Sequence, residues 1–227
     1  MISFFIPIRK GSKRIKNKNI KPFRKFKLGL LEIKIKQLKK LIKINKKKYD
    51  FEFIVTTNCK IVENYCKKFN WIKIHKRSAG LSSDHSLQKL IDLAPKICAG
   101  KYILWTHVTS PMFTALNYKD FIENFLKRKS PKKTSAFSAD KVQKFIYSNV
   151  NGWLSHNTNI IKWPRTQDLE PLYTLNSAAI IAHKKTYIKE KNRICKNPIP
   201  IVTKRNNGFD IDDKEDFTEL RNKKIFF

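Results

Sequence analysis

The chain has 227 residues, 41% of them hydrophobic, which is enough to bury one sizeable core. It carries 49 Lys and Arg residues against 18 Asp and Glu residues, a formal net charge of +31. No apolar run reaches the ~20 residues that a transmembrane helix needs, which argues against a membrane protein. Residues 1–8 are too short for a signal peptide and are followed, not preceded, by positive charge, so we expect a cytoplasmic protein.

The high positive charge is typical of proteins that bind nucleic acids by neutralising phosphates. Here, however, the lysines are spread along the whole chain instead of forming one patch or tail. Ile, Asn and Phe are also abundant, a combination that A/T-rich coding sequences favour. We therefore interpret most of the charge as compositional, and keep a basic nucleic-acid-binding protein only as the alternative from another class.

The four cysteines show no CxxC pair and no spacing typical of a zinc site. They are Cys59, Cys66, Cys98 and Cys195. We expect them to be small, mostly buried side chains in a reducing compartment, and we expect no metal-thiolate site.

Strand and helix patterns alternate along the first half of the chain, which predicts an α/β fold around a mainly parallel sheet. The predicted strands are residues 2–8, 51–56, 71–75 and 102–106. The predicted helices are residues 28–45, 60–69, about 84–98 and about 117–129. In the first helix, apolar residues follow the helical repeat, and the lysines are predicted on the opposite, solvated face.

The pattern changes after residue 134. Strands are predicted at 135–140, 145–150, 178–182 and 199–202, with a short helix near 186–191 and a last helix after residue 212. A segment bearing Trp, Asn and Pro interrupts the alternation. We predict one domain over residues 1–227, with an arm inserted at about 141–175.

The loop after the first strand has the composition of a phosphate site. It contains Arg9, Gly11, Ser12 and Lys13 directly after a buried-looking strand. A Gly lets the backbone approach a phosphate closely, and the cations neutralise its charge. Because α/β proteins bind ligands at the carboxyl ends of their strands, this loop is a candidate nucleotide site. The alternative is an edge strand followed by a solvated basic loop.

Two carboxylates, Asp210 and Asp212, alternate along an extended segment and therefore lie on the same side of it. Oxygen ligands at this spacing suit Mg²⁺, which shares its coordination shell with water and substrate phosphates. Asp212 followed by Glu215 also has the spacing of a helix capping box. The two roles do not exclude each other.

Two further loops are candidates by position. Arg77 opens a Gly-bearing loop, in which Asp84 is predicted to cap the next helix. Thr109 and Ser110 precede Pro111 at the carboxyl end of the fourth strand. Either loop can equally be a plain turn and helix entry.

Six segments, taken in order, share the pattern of one family. They are Ile8–Lys13 with Lys18–Asn19 (A-R-x-G-S-K-x-x-x-x-K-N), Val55–Asn58 (V-S-T-D), Arg77–Asp84 (R-P-x-x-L-A-x-D), Thr106–Pro111 (L-Q-P-T-S-P), Pro164–Gln167 with Asn176–Ala178 (P-R-x-Q, N-G-A) and Asp210–Asp216 (D-I-D-T-x-x-D). Together they resemble the acylneuraminate cytidylyltransferase family, which activates sialic-acid-type sugars as CMP conjugates. The resemblance covers nearly the whole chain.

The resemblance implies a three-layer Rossmann-like nucleotidyltransferase (GT-A-like) fold with a mainly parallel sheet and a small dimerisation arm. It implies attack of a sugar anomeric hydroxyl on the α-phosphorus of CTP, with pyrophosphate leaving and Mg²⁺ as cofactor. It implies a homodimer whose arm crosses to the partner's site. Kdo-, legionaminic- and pseudaminic-acid cytidylyltransferases stay open as alternatives.

The resemblance also implies roles for individual residues. The catalytic residues would be Arg9, Lys13, Lys18 and Asp212; the nucleotide-binding ones Arg9, Gly11, Ser12, Lys13, Lys18, Asn19, Arg77 and Ser83; the sugar-binding ones His107, Thr109, Ser110, Arg165, Gln167 and Asn176; and the metal ligands Asp210 and Asp212. Arg165 would act in trans from the arm. Lys10, Arg14 and Lys16 would be background charge.

The chain also departs from the family pattern. His107 replaces a Gln, Ser78, Val108 and Lys16 replace prolines, and Ser177 replaces a Gly. These departures concern the sugar side more than the nucleotide side. They leave open both the choice of sugar and an inactive member that keeps the fold.

Overall fold

The computed structural model describes residues 1–78, 81, 87–128, 130–131, 133–204 and 207–227. Its strands are β1 (Ile2–Ile8), β2 (Phe51–Thr57), β3 (Ile72–Lys76), β4 (Tyr102–Trp105), β5 (Ser135–Val142), β6 (Tyr147–Ser148), β7 (Gly152–Trp153), β8 (Leu172–His183) and β9 (Ile199–Val202). Its α-helices are α1 (Gly29–Ile44), α2 (Lys60–Cys66), α3 (Leu87–Ile97), α4 (Ala115–Leu126), α5 (Lys184–Glu190) and α6 (Lys214–Leu220).

Seven strands form one sheet in the order β3-β2-β1-β4-β8-β5-β9. β1 is parallel to β2 and β4, β2 to β3, and β5 to β9, whereas β8 runs antiparallel to both of its neighbours. The predicted α/β fold with a mainly parallel sheet is confirmed. No helix in the described ranges is long and apolar enough to cross a membrane.

The sheet is covered on both faces, as a parallel sheet requires. Along β1, Phe4 belongs to the larger core cluster with α1 and α4, while Phe5 belongs to a second cluster with α3 and Trp105. Because neighbouring strand residues point to opposite faces, burying both faces needs the continuous apolar run of residues 2–8. The result is three layers with β1 near the centre.

The capping prediction for the last helix was wrong by one residue. Asp213, not Asp212, is the N-cap of α6, and it forms a capping box with Asp216. The side chain of Asp213 accepts hydrogen bonds from the backbone N–H groups of Glu215 and Asp216. Asp212 therefore precedes the cap, and its carboxylate is left for another role.

Between β5 and β8 the chain forms an excursion built on the β6–β7 hairpin, and the predicted strand at 145–150 is reduced to Tyr147–Ser148. A cluster of aromatic rings holds the excursion together: Phe145, Trp153, His156 and Trp163. Large apolar side chains nevertheless remain on its surface, with Val150 90% and Ile160 78% exposed.

Candidate active site

An open cavity of about 520 Å³ lies at the carboxyl ends of β1, β3 and β4. Its lining comes from the ends of these strands, the loops that follow them, β8, the start of α3 and the segment before α6: Pro7, Arg9, Ser12, Lys13, Arg14, Lys18, Asn19, Arg77, Leu87, Leu90, Trp105, His107, Val108, Thr109, Ser177, Asp210 and Asp212. This is the edge at which α/β proteins bind ligands. Most of the predicted nucleotide and metal residues are brought together here.

The opening loop is fixed at both of its ends. The backbone N–H of Lys10 donates to Asn58 Oδ1 at 2.8 Å, and Asn19 Nδ2 donates to the carbonyl of Arg9 at 3.2 Å. Gly11 has a φ of 85°, a conformation that favours glycine, although a side chain there would have open space. Gly11 lines a small adjoining pocket, together with Ser12 and Asn19.

Arg77 brings a buried positive charge to the cavity. It is 8% exposed, and its Nε donates to Thr56 Oγ1 at 3.2 Å. Its Nη2 is buried and has no hydrogen-bond partner among the described residues. Burial, together with the nearby charge of Arg9, lowers the pKa of Arg77 to about 10, so the guanidinium stays charged at neutral pH. A buried N–H donor of this kind favours a ligand that supplies an oxygen acceptor.

Asp210 is hydrogen-bonded to the loop after β4. Ser110 Oγ donates to Asp210 Oδ1 at 3.3 Å, and Ser110 itself is buried. Burial raises the pKa of Asp210; a hydrogen bond from Thr109 opposes this rise, and the charge of Asp212 adds to it. The two carboxylates are thus close enough to repel each other.

Asp212 is paired with cations of the opening loop. Its Oδ1 lies 2.8 Å from Arg14 Nη2 and 3.7 Å from Lys18 Nζ, and Lys18 also donates to the carbonyl of Ile211. Burial lowers the pKa of Lys18, and the nearby carboxylates oppose that shift. The interpretation of Arg14 as background charge was therefore wrong, because Arg14 lines the cavity. Lys10 and Lys16 are not among its lining residues.

The two carboxylates fit a magnesium ion. Mg²⁺ prefers oxygen ligands and commonly takes one or two carboxylates, completing its shell with water and phosphate oxygens. In the described part of the chain, no group of three His, Cys, Asp or Glu residues forms a metal cage. A cation bound here would relieve the repulsion that raises the pKa of Asp210. To complete its coordination shell, the cation would need phosphate oxygens from a substrate.

The far side of the cavity is formed by Trp105 and His107. Trp105 Nε1 donates to His107 Nε2 at 2.9 Å, and the guanidinium of Arg193 lies 4.8 Å from the Trp105 ring centroid. Burial lowers the pKa of His107 to about 3, and the charges of Arg193 and Lys34 add to the effect. Trp105 and Arg193 were not predicted. The two-residue spacing of Trp105 and His107 along a strand could have indicated the first, but no local spacing links Arg193 to His107.

The expectation that the α1 lysines are solvated was wrong for Lys34. Lys34 is fully buried, and its Nζ donates to the carbonyl of Ser110 at 3.0 Å and to Tyr118 Oη at 2.7 Å. Burial lowers its pKa to about 7. The helical repeat could have shown this, since position 34 lies one turn from Leu30 and Leu38 on the core face.

Only some of the predicted sugar-binding residues lie at the cavity. His107 and Thr109 line the cavity, and Ser110 lies directly behind Asp210. Asn176 does not line it: this buried residue accepts from Ser138 Oγ at 2.5 Å and donates to Thr203 Oγ1 at 3.2 Å.

The remaining predicted residues lie away from the cavity or outside the described ranges. Arg165 and Gln167 are exposed on the excursion, where Arg165 pairs with Asp168 at 2.7 Å. Ser83 and the predicted cap Asp84 are outside the described residues. Ser177, which replaces a Gly of the family pattern, has a φ of 59°, in the region that favours glycine.

A family model described as Cytidylyltransferase matches residues 3–222, almost the whole chain. The chain belongs to this cytidylyltransferase family. The suspected family is thereby confirmed.

Curated relatives are similar over part of their length. The chain is 26% identical over 175 residues to an N-acylneuraminate cytidylyltransferase of Streptococcus agalactiae serotype III (strain NEM316), and 25% identical over 175 residues to that of serotype V (strain ATCC BAA-611 / 2603 V/R). Each match covers 74% of this chain and 41% of the relative. The chain thus spans about two-fifths of the length of the curated relatives it matches.

Solved structures show the same fold. A 4-diphosphocytidyl-2C-methyl-D-erythritol synthase from Anaerococcus prevotii is 14% identical, with a TM-score of 0.65 over 97% of this chain and 96% of that one. A CMP:2-keto-3-deoxy-manno-octonic acid synthetase, solved with CTP, is 13% identical, with a TM-score of 0.62 over 97% of both chains. The predicted nucleotidyltransferase fold is confirmed.

Proposed function

We propose that this protein transfers CMP from CTP to the anomeric hydroxyl of a sialic-acid-type 2-keto sugar acid and releases pyrophosphate. The observation that carries the proposal is a cavity that combines Arg77 with the carboxylate pair Asp210 and Asp212. The buried Nη2 of Arg77 has no hydrogen-bond partner within the described ranges. The family match and the names of the curated relatives support the same reaction.

On the nucleotide side, Arg9 and Lys13 bind the triphosphate, and Gly11 and Ser12 offer backbone and hydroxyl donors. Phosphoryl transfer adds negative charge to phosphate oxygens, so fixed cations stabilise the transition state. Arg77 and Asn19 border the cytosine and ribose. Lys18 adds positive charge near the phosphates. Its hydrogen bond to the Ile211 carbonyl keeps the segment with Asp210 and Asp212 beside the opening loop.

Asp210 and Asp212 would hold Mg²⁺, which when bound neutralises phosphate charge and polarises the attacking hydroxyl. Before the metal binds, the carboxylate of Asp212 forms ion pairs with Arg14 and Lys18. Such a half-exposed ion pair is weak, with a contribution of about 0–1 kcal/mol, so it does not prevent cation binding.

On the acceptor side, His107 and Thr109 contact the sugar acid. We propose a homodimer in which Arg165 and Gln167 reach the site from the partner subunit, because both lie on the exposed excursion and outside the cavity of their own chain. The exposed apolar residues Val150 and Ile160 on the same excursion support an interface there. A cytoplasmic location, where CTP is present, is part of the same proposal.

The choice of sugar acid is tested together with the reaction. Pyrophosphate release would be measured with CTP, Mg²⁺ and a panel of sialic, legionaminic, pseudaminic and Kdo acids, with ATP, GTP and UTP as nucleotide controls. We expect release with CTP and one of the first three acids. Release only with Kdo would show that the sugar acid is Kdo and not a sialic-acid-type acid. No release with any acid, together with DNA binding that falls steeply with salt, would overturn the proposal in favour of a nucleic-acid-binding protein.

A further inference from the structure

Trp105 is held rigidly beside His107. Its side chain is 1% exposed at the end of β4, and its ring packs against Phe5 with a centroid distance of 4.6 Å. The guanidinium of Arg193 covers the ring. The indole nitrogen therefore points in a fixed direction, and at 2.9 Å it meets His107 Nε2.

The chemistry of the indole decides the protonation of the imidazole. The indole nitrogen can only donate a hydrogen bond, so His107 Nε2 must accept it and must carry no proton. In a neutral imidazole the proton is then on Nδ1. An imidazolium would direct a second N–H at the indole N–H.

The charges around His107 act in the same direction. The charges that lower its pKa are those of Arg193, Lys34, Lys18 and Arg77. They disfavour a second proton on the ring, as does burial, and its pKa falls to about 3. His107 is thus neutral at any pH at which the protein is expected to work.

We propose that Trp105 is a positioning residue that fixes His107 in the neutral Nδ1–H form, so that His107 offers the cavity an uncharged hydrogen-bond donor for an oxygen of the sugar acid. His107 lines the cavity, and its bond to Trp105 uses Nε2, which leaves Nδ1 for a ligand. An uncharged donor binds a hydroxyl, carbonyl or carboxylate oxygen without competing with the cations for the triphosphate. The part of the proposal that concerns the sugar acid rests on the proposed function.

The same geometry explains how a histidine can stand where the family pattern has a glutamine. A glutamine amide offers one carbonyl acceptor and one N–H₂ donor. With Trp105 beside it, His107 likewise has one acceptor, Nε2, bound to the indole and one donor, Nδ1–H. His107→Gln therefore preserves the donor, whereas His107→Ala removes it.

The protonation state can be measured without substrate. Protein labelled with ¹⁵N-histidine would be examined by long-range ¹H–¹⁵N correlation between pH 5 and 8, and the signal lost in His107→Gln assigns His107 among the five histidines. We expect the Nδ1–H form and no titration. An Nε2–H form, or a titration in this range, would overturn the proposal. Since CTP and sugar are absent, failure of the proposed reaction leaves this test intact.

Kinetics test the consequence for the substrate. Trp105→Phe keeps the aromatic ring but removes the donor, and we expect the KM for the sugar acid to rise about tenfold, the loss of one oriented hydrogen bond, with the KM for CTP unchanged. His107→Gln should stay closer to the wild type than His107→Ala. Trp71→Phe, an indole at the other end of the sheet that packs on Phe53, is the matched control. An equal KM for the sugar acid in Trp105→Phe and wild type would overturn the role of Trp105. If Trp105→Phe does not fold, the ¹H–¹⁵N spectrum of the wild type decides.

Discussion

Two neighbouring aspartates before α6 have different tasks. Asp213 caps the helix, with its carboxylate on the N–H groups of Glu215 and Asp216. Asp212 lines the cavity and pairs with Arg14 and Lys18. Their side chains are chemically identical, so the difference comes only from where the helix begins.

This division predicts opposite outcomes for two alanine variants. Asp212→Ala should abolish turnover and leave the unfolding midpoint nearly unchanged, because its carboxylate serves the proposed metal site. Asp213→Ala should lower stability by about 1 kcal/mol through loss of the cap and should keep measurable turnover. Thermal unfolding and CMP-sugar formation at saturating Mg²⁺ check both. Near-normal turnover by Asp212→Ala would falsify the metal assignment.

A second residue-scale prediction concerns the opening loop. Lys13→Ala should lower kcat/KM by about 10²- to 10³-fold, because an oriented charge at the phosphates is lost. Lys16→Ala is the matched control: Lys16 is exposed and does not line the cavity, so we expect less than about a twofold change. An unchanged rate constant in Lys13→Ala would mean that this loop does not bind the phosphates.

At the scale of elements, α1 supports the site through Lys34. Its ammonium bonds to the Ser110 carbonyl and to Tyr118, while the Ser110 hydroxyl bonds to Asp210. The helix thus fixes the loop after β4 from inside the core. The cost is a charge buried without a carboxylate in direct contact, because the described ion pairs do not include Lys34.

This buried charge predicts a dependence of stability on pH. The folded pKa of Lys34 is lowered to about 7 from 10.5, so between these values the unfolded state binds more protons, and the free energy of unfolding rises with pH. Below pH 7 both states are protonated and the full cost, on the order of a few kcal/mol, is present. In Lys34→Met the free energy of unfolding should rise less with pH than in the wild type. Urea unfolding at pH values from 7 to 10 measures this. Lys40→Met, on the exposed face, should follow the wild type; parallel curves for all three proteins would contradict the burial argument.

At the scale of the whole molecule, the excursion between β5 and β8 contributes little to the described cavity yet carries the large exposed apolar residues. Val150, Ile160 and Trp163 are 90%, 78% and 71% exposed. Burying such surface against a second copy would be favourable by about 25 cal/mol per Å² of apolar area. The same contact would bring the arm residues Arg165 and Gln167 to a site.

The proposed homodimer predicts a specific effect of a charge in this surface. Val150→Asp should convert the dimer to a monomer in analytical ultracentrifugation and should reduce turnover as the arm residues are lost from the partner's site. Ile188→Asp, a half-exposed apolar position on α5, is the control and should remain dimeric. A wild-type protein that is monomeric at micromolar concentration would contradict the proposal.

Local sequence determined much of this protein. Alternating strand and helix patterns predicted the parallel sheet, and the loops after β1 and β4 were found because strand ends of a parallel sheet meet at one edge. The loop after β3 was found by its cation, its Gly and the helix that follows, and the family resemblance joined Arg77 to the same predicted site. Spacing alone also suggested that Asp210 and Asp212 share a side.

Only the tertiary structure decided the rest, because it depends on contacts between residues distant in sequence. The pairing of Arg14 with Asp212 spans 198 positions, and the covering of Trp105 by Arg193 joins two residues that no local pattern relates. The one-residue shift of the cap to Asp213 followed from helix geometry. The helical repeat places Lys34 on the core face, but only tertiary packing supplied its partner Tyr118. Sequence specified where the site is; the packing of distant elements set the charge and orientation of the groups in it.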